Sequence, residues 1–258
     1  MEYSKLYASW KVSENKVGIV WLGQAGFLIK TPSGKTIMID PYLTDYTHKS
    51  LGDDGFIRMT APLFLPGELH ADYLFSSHHH ADHWDLDALP NLMEEGTKCF
   101  ANEDSVNVAT KYGVDMHSVI TIKAGDVLQF EEFTVYVLKC DHGKTTPNAM
   151  GFMFDFGYTK VYYSGDTCLN LELLAPAIAM KPEVSLLPIN GAYGNLNAVD
   201  AAILAERLGS KYCISHHFWT FPNHNEVLGD PKSALKYFPF IAPACKLALV
   251  TPGEMKEY

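Results

Sequence analysis

The densest run of metal-binding side chains is Ser77-His78-His79-His80-Ala81-Asp82-His83, in which five of seven residues can ligate a metal. His78 and His80 are two apart, so in extended backbone they point to one side. Asp82 and His83 follow as the chain turns. Imidazole nitrogens and a carboxylate at this density, just after the apolar stretch DYLFSS, suit Zn²⁺, Mn²⁺ or Fe. A His-rich turn or a structural metal clip would use similar residues. The spacing His-x-His-x-Asp-His is the feature that favours catalysis.

Strands and loops must bring further donors to this run. Val17–Leu22, Ala25–Lys30 and Thr36–Asp40 read as an antiparallel meander broken at Gly23 and at the turn TPSGK. Residues 43–70 mix polar and bulky apolar groups, as an irregular loop over a site does. After the histidines the pattern predicts a helix over about 85–95, then strand KCFA and helix EDSVNVATKYG. Strands return at 126–130, 134–140, 151–156 and 160–164. The last part alternates: helices near 169–179, 198–208 and 231–237, strands at 183–188, 211–215 and 246–251. Meanders that run into strand–helix units, twice over, suit two mixed sheets with helices outside. Without repeats or a low-complexity linker, we expect a single domain over residues 1–258.

Apolar residues make up 47% and charged residues 19% of the 258, with a net charge of −10. This balance supports a sizeable core and excludes disorder. A strongly acidic chain is a poor partner for nucleic acid or anionic membranes. The five cysteines are scattered and form no Cys-x-x-Cys pair, which indicates free thiols in a reducing compartment. No apolar signal core and no run of about 20 apolar residues is visible. The expected location is the cytoplasm, the expected partner a small-molecule substrate, and homo-oligomerisation stays open.

His78-x-His80-x-Asp82-His83 resembles the signature of the metallo-β-lactamase superfamily. That family requires, in order, an Asp after an early strand, a later His, a later Asp and a final His. Asp40 in TIMID, His142 after TVYVLKC, Asp166 in YYSGDT and His217 in CISHHFWTFP match. VWLGQAGFLI, SGDT and the His-x-x-Thr-Phe-Pro ending further resemble the branch holding L-ascorbate-6-phosphate lactonases and small relatives. This chain is shorter than those lactonases, and it carries His79 where they have an acidic residue.

The resemblance implies an α/β fold, the four-layer αββα sandwich of two mixed sheets. It implies two divalent metal ions, Zn²⁺ or Mn²⁺, with Fe also suited. His78, His80 and His142 would hold the first, Asp82, His83 and His217 the second, and Asp166 would bridge them. Asp40 would orient a ligand histidine. Asp82 and Asp166 would be the catalytic residues, one or the other managing the proton of a shared water whose pKa the ions lower from about 15.7 toward neutrality. The hydroxide would attack an ester or lactone, a phosphorylated sugar acid among the candidates. A small phosphodiester is the alternative substrate, and a non-enzymatic metal-binding or metal-sensing module is a second alternative. His216 and His217 compete for the last ligand position. The offsets from Thr-Phe-Pro and from Lys211 both select His217. Lys144 and His224, each close in sequence to a ligand, are the candidate substrate contacts. Asn190, Tyr193, Trp219 and Asn223 are further polar or aromatic residues able to line a pocket.

Overall fold

The computed structural model describes residues 2–222 and 230–258. The chain divides into two compact units, Met1–Ile122 with Thr251–Tyr258, and Lys123–Val250.

The first unit opens with α1 (Tyr3–Ser9) and the meander β1 (Gly18–Gly23), β2 (Gly26–Lys30) and β3 (Thr36–Ile39). Helix α2 (Tyr46–Leu51) follows, then β4 (Tyr73–Phe75), α3 (Leu89–Leu92), β5 (Lys98–Ala101), α4 (Glu103–Tyr112) and β6 (Val119–Thr121). The last strand of the chain, β14 (Lys256–Glu257), returns to this unit, and the sheet order is β14-β1-β2-β3-β4-β5-β6. β1, β2 and β3 pair antiparallel, while β3 through β6 pair parallel. Every residue of β2 and β3 is buried. Strands covered on both faces read as continuous apolar runs rather than as alternation, which is why FLI and TIMI are legible as strands.

The second unit contains β7 (Val127–Gln129), β8 (Thr134–Lys139), β9 (Met150–Asp155), β10 (Lys160–Tyr163), α5 (Ala175–Met180) and β11 (Val184–Pro188). It continues with α6 (Ala198–Leu208), β12 (Tyr212–His216), α7 (Pro231–Ile241) and β13 (Lys246–Ala248). Its sheet runs β13-β12-β11-β10-β9-β8-β7. β7 to β10 are antiparallel and β10 to β13 parallel. Both units thus switch from antiparallel to parallel pairing in mid-sheet. The carboxyl ends of parallel strands are where α/β sheets collect ligand-binding loops.

Helix ends follow their capping residues. Asn102 accepts a hydrogen bond from the Ser105 amide (2.8 Å) at the start of α4. Asn197 accepts from Val199 and Asp200 (2.9 and 3.0 Å) at the start of α6. Such caps are worth about 1 kcal/mol each.

Three sequence expectations need correction. The helix over 85–95 shrinks to Leu89–Leu92. The Asp85 carboxylate accepts from the amides of Leu43 and Thr44 and from the Thr44 hydroxyl (2.9, 2.8 and 2.6 Å), so it serves a distant loop, and Pro90 restarts the chain. The helix over 169–179 starts only at Ala175. Before it, Asn170 turns aside and donates to Asp141 Oδ2 (2.8 Å). The stretch 43–70 is not wholly irregular, since it contains α2. The short elements α1, β6 and β14 carry no periodicity long enough to read.

Candidate functional site

In the first unit the polar residues gather where β3 and β4 end. Asp40 follows β3 directly, is fully buried, and sits at φ +42. This left-handed conformation turns its carboxylate back onto the next loop. Oδ1 accepts from the Ser77 amide (2.7 Å), and Oδ2 accepts the Ser77 hydroxyl and lies 2.7 Å from His83 Nδ1. A His83 that donates through Nδ1 leaves Nε2 as its free electron pair, the tautomer a metal ligand needs. The Ser77 hydroxyl also contacts His78 Nδ1 at 2.9 Å.

The loop turns tightly at Ala81: the amides of His83 and Trp84 both donate to the His80 carbonyl (3.0 and 2.8 Å). It therefore folds its rings together instead of running extended. His78 Nε2 and His80 Nδ1 are 3.0 Å apart, and the His78 and His83 rings are 4.1 Å apart. Asp40, His78 and His83 each place a donor atom within 4.8 Å of the others. Asp82 Oδ2 lies 3.7 Å from His83 Nε2 and accepts from Gln24 Nε2 at 2.8 Å. The four residues expected to act together here are brought together, with Asp40 beneath them. Gln24 is an addition.

In the second unit three strand ends supply one residue each. His142 lies past β8, Asp166 past β10 and His217 past β12. Asp166 Oδ2 is 3.7 Å from His142 Nε2 and 3.3 Å from His217 Nε2, and all three side chains are buried. Asn195, in the loop after β11, donates to the same Oδ2 at 2.8 Å. The approach to Asp166 needs a glycine: a Cβ on Gly151 of β9 would sit 2.8 and 2.9 Å from the carbonyl oxygens of Tyr163 and Ser164. Cross-links hold the His142 loop against the Asp166 loop. The Asp141 amide donates to Thr167 Oγ1 (3.0 Å) and the Cys168 amide to the Asp141 carbonyl (2.8 Å), while within the His142 loop the Thr146 hydroxyl donates to the His142 carbonyl.

His216 and His217 separate sharply. His216 is the last residue of β12 and stacks on Tyr163 at 5.6 Å, fully buried. His217 takes φ +66, leaves the strand and turns its ring to Asp166. Lys144 is exposed, and His224 and Asn223 lie outside the described residues. Cys168 is half-buried, and burial first, then the Asp141 carboxylate, raises its thiol. Burial lifts the Cys99 thiol to about 12 and that of Cys245 to about 11. None of these three is a thiolate nucleophile at neutral pH.

Gln24, Asp40, Tyr193, His217 and Trp219 all have positive φ without being glycine. Each such residue costs on the order of 1–3 kcal/mol and persists only where its surroundings hold it. Three of them, Gln24, Asp40 and His217, make the contacts just described.

The donor set fits divalent metal. Two donors on one tetrahedral Zn²⁺, with bonds of about 2.0–2.2 Å, lie roughly 3.3 Å apart. The separations of 3.0 Å for His78 and His80, 3.3 Å for His217 and Asp166, and 3.7 Å for His142 and Asp166 bracket that span. A buried carboxylate facing two imidazoles is costly as an anion unless a cation shares it.

A family model described as a beta-lactamase superfamily domain matches residues 18–217. The chain belongs to the metallo-β-lactamase superfamily. A UPF0173 metal-dependent hydrolase from Caldivirga maquilingensis is 27% identical over 91% of this chain and 95% of the relative. A UPF0173 metal-dependent hydrolase from Herpetosiphon aurantiacus is 25% identical over 93% and 97%. Among solved structures, Igni18, a metallo hydrolase from Ignicoccus hospitalis, aligns with a TM-score of 0.72 at 22% identity, over 94% of this chain and 98% of that one. The fold is the one the resemblance implied, and the chain is a metal-dependent hydrolase of this superfamily. Among the described residues no helix is long and apolar enough to cross a membrane.

Proposed function

We propose that this hydrolase is dinuclear and opens an ester or lactone of a small molecule, with a phosphorylated sugar acid as the first class to try. In this proposal residues 1–258 form one hydrolase domain. His78, His80 and His142 would hold one divalent ion, Zn²⁺ or Mn²⁺, Asp82, His83 and His217 would hold the other, and Asp166 would be a donor to both. The observation that carries the proposal is Asp166: one buried oxygen faces two imidazole nitrogens and takes a carboxamide N–H. When bound, divalent metal supplies Lewis acidity and lowers the pKa of water toward neutrality.

The chain's own residues do the rest. Asp40 holds His83 in one tautomer through its Nδ1 hydrogen. Asp82 or Asp166 presents the carboxylate oxygen that accepts the one proton given up by the attacking water and returns it to the leaving oxygen. Lys144 and His224 are the residues we assign to the substrate's anionic group. The net charge of −10 supports a small substrate over polynucleotide.

Elemental analysis of gently purified protein should find close to two divalent ions per chain. A panel of aryl esters, sugar lactones and phosphodiesters, with and without chelator, then tests the reaction. We expect chelator-sensitive turnover of esters or lactones. Protein that stays metal-free and inactive after addition of Zn²⁺ or Mn²⁺ overturns the proposal, and turnover confined to phosphodiesters replaces its substrate class.

A further inference from the structure

The two carboxylates proposed as metal ligands share a feature that the ligand pattern does not contain. Each accepts, on Oδ2, a hydrogen bond of 2.8 Å from a primary carboxamide: Gln24 to Asp82, and Asn195 to Asp166. Gln24 is fully buried and Asn195 nearly so. A neutral amide donor fixes a carboxylate's rotation without cancelling its charge. Lysine or arginine in the same place would compete with a cation for that charge.

Gln24 breaks a local rule to reach this position. It occupies the turn between β1 and β2 at φ +49, where glycine or asparagine is usual. Its long side chain folds into the protein, and its main-chain carbonyl accepts the Trp21 indole N–H at 2.9 Å. A turn residue that is strained, buried and aimed at a carboxylate is a departure of the kind that marks functional positions. Asn195 is placed in a comparable way, just after Tyr193 and Gly194, both with positive φ.

We infer that Gln24 and Asn195 are positioning residues that set the orientation of Asp82 and Asp166 toward bound metal. The inference rests on the dinuclear proposal. Neither residue touches substrate in it; each acts through its carboxylate.

The test is equilibrium Zn²⁺ binding in chelator-buffered solutions, together with the visible spectrum of the Co²⁺-loaded protein. The variants are Gln24→Met, which keeps the length and removes the donor, Asn195→Leu, and Asp82→Ala as reference. Loss of an outer partner of this kind weakens metal binding about 10–100-fold. We expect a weakening of that size for Gln24→Met and Asn195→Leu, with altered Co²⁺ bands and an unchanged circular dichroism spectrum. Gln24→Asn keeps a carboxamide and suits the left-handed turn but falls one methylene short of Asp82, so it should weaken binding even if Gln24→Met folds poorly. Wild-type protein that binds no Zn²⁺ sinks the metal proposal itself. Wild-type protein that binds Zn²⁺, loses it with Asp82→Ala, yet keeps its affinity and Co²⁺ bands in folded Gln24 and Asn195 variants overturns this inference alone.

Discussion

The two units build their polar clusters differently. In the first, four candidate donors lie within His78–His83 on one loop after β4, and a single tight turn at Ala81 folds them together. In the second, His142, Asp166 and His217 come from three strand ends, with Asn195 from a fourth. The first cluster depends on local backbone geometry and on Asp40 beneath it. The second depends on the register of β8, β10, β11 and β12. A short loop tolerates sheet distortion, whereas a dispersed cluster inherits every shift between strands. Damage at the strand ends of the second unit should therefore spread more widely than damage within the first loop.

The largest expected effect tests the centre of the dispersed cluster. Asp166→Asn is nearly isosteric and should keep the fold, while a neutral amide holds cations poorly. We expect turnover to fall more than about 100-fold, beyond the loss typical of an outer partner, with unchanged circular dichroism. Full activity in this variant would remove Asp166 from the chemistry and leave the second cluster without a centre.

The proposal assigns metal holding to His217 and stability to His216. His217→Ala should lower metal occupancy, read by elemental analysis, with little loss of stability. His216→Ala removes a fully buried ring stacked on Tyr163 and should cost roughly 2–4 kcal/mol by denaturant unfolding, by analogy with other large-to-small core changes. The reverse pattern would mean that the left-handed turn at His217 serves the fold alone.

Asp40→Asn tests the base of the compact cluster. The variant keeps the volume but weakens the contact to His83 Nδ1, so we expect metal affinity to drop about 10–100-fold. An unchanged affinity would show that the loop holds its own tautomers.

The smallest effect comes from a carboxylate far from this chemistry. Burial pushes the Asp72 carboxyl up, but the Lys35 ammonium and the Thr36 amide (2.7 and 2.9 Å) outweigh it and leave it below its ordinary value. A depressed folded pKa adds stability above the unfolded value near 3.8, and that stability is lost as pH falls through the folded value. The pair is partly exposed, so Asp72→Asn should cost at most about 1 kcal/mol at pH 7. In urea titrations the difference from wild type should shrink toward pH 3. A constant difference at all pH values would show that the pairing adds nothing through charge.

The donor inventory was legible because it is written in contiguous residues and in strand-end order. His78 to His83, Asp40 after TIMID and Asp166 in SGDT need only local pattern and sequence order to be found, and the apolar runs of β2 and β3 announce the sheet that carries them. The lengths of α3 and α5 were not legible, because Asp85 and Asn170 spend their side chains on partners distant in sequence. Gln24 and Asn195 were missed for the same reason, although a glutamine in the turn Gly23-Gln24-Ala25-Gly26, where asparagine or glycine is usual, was a signal open to notice. By itself the sequence determined which candidate donors the chain carries and in what order the strands deliver them. Only the tertiary structure decided which nitrogen of His83 faces Asp40, which of His216 and His217 leaves its strand, and which amides donate to Asp82 and Asp166. Those choices rest on left-handed backbone at Gln24, Asp40 and His217, a conformation that short-range sequence disfavours and that only the surrounding packed strands can hold in place.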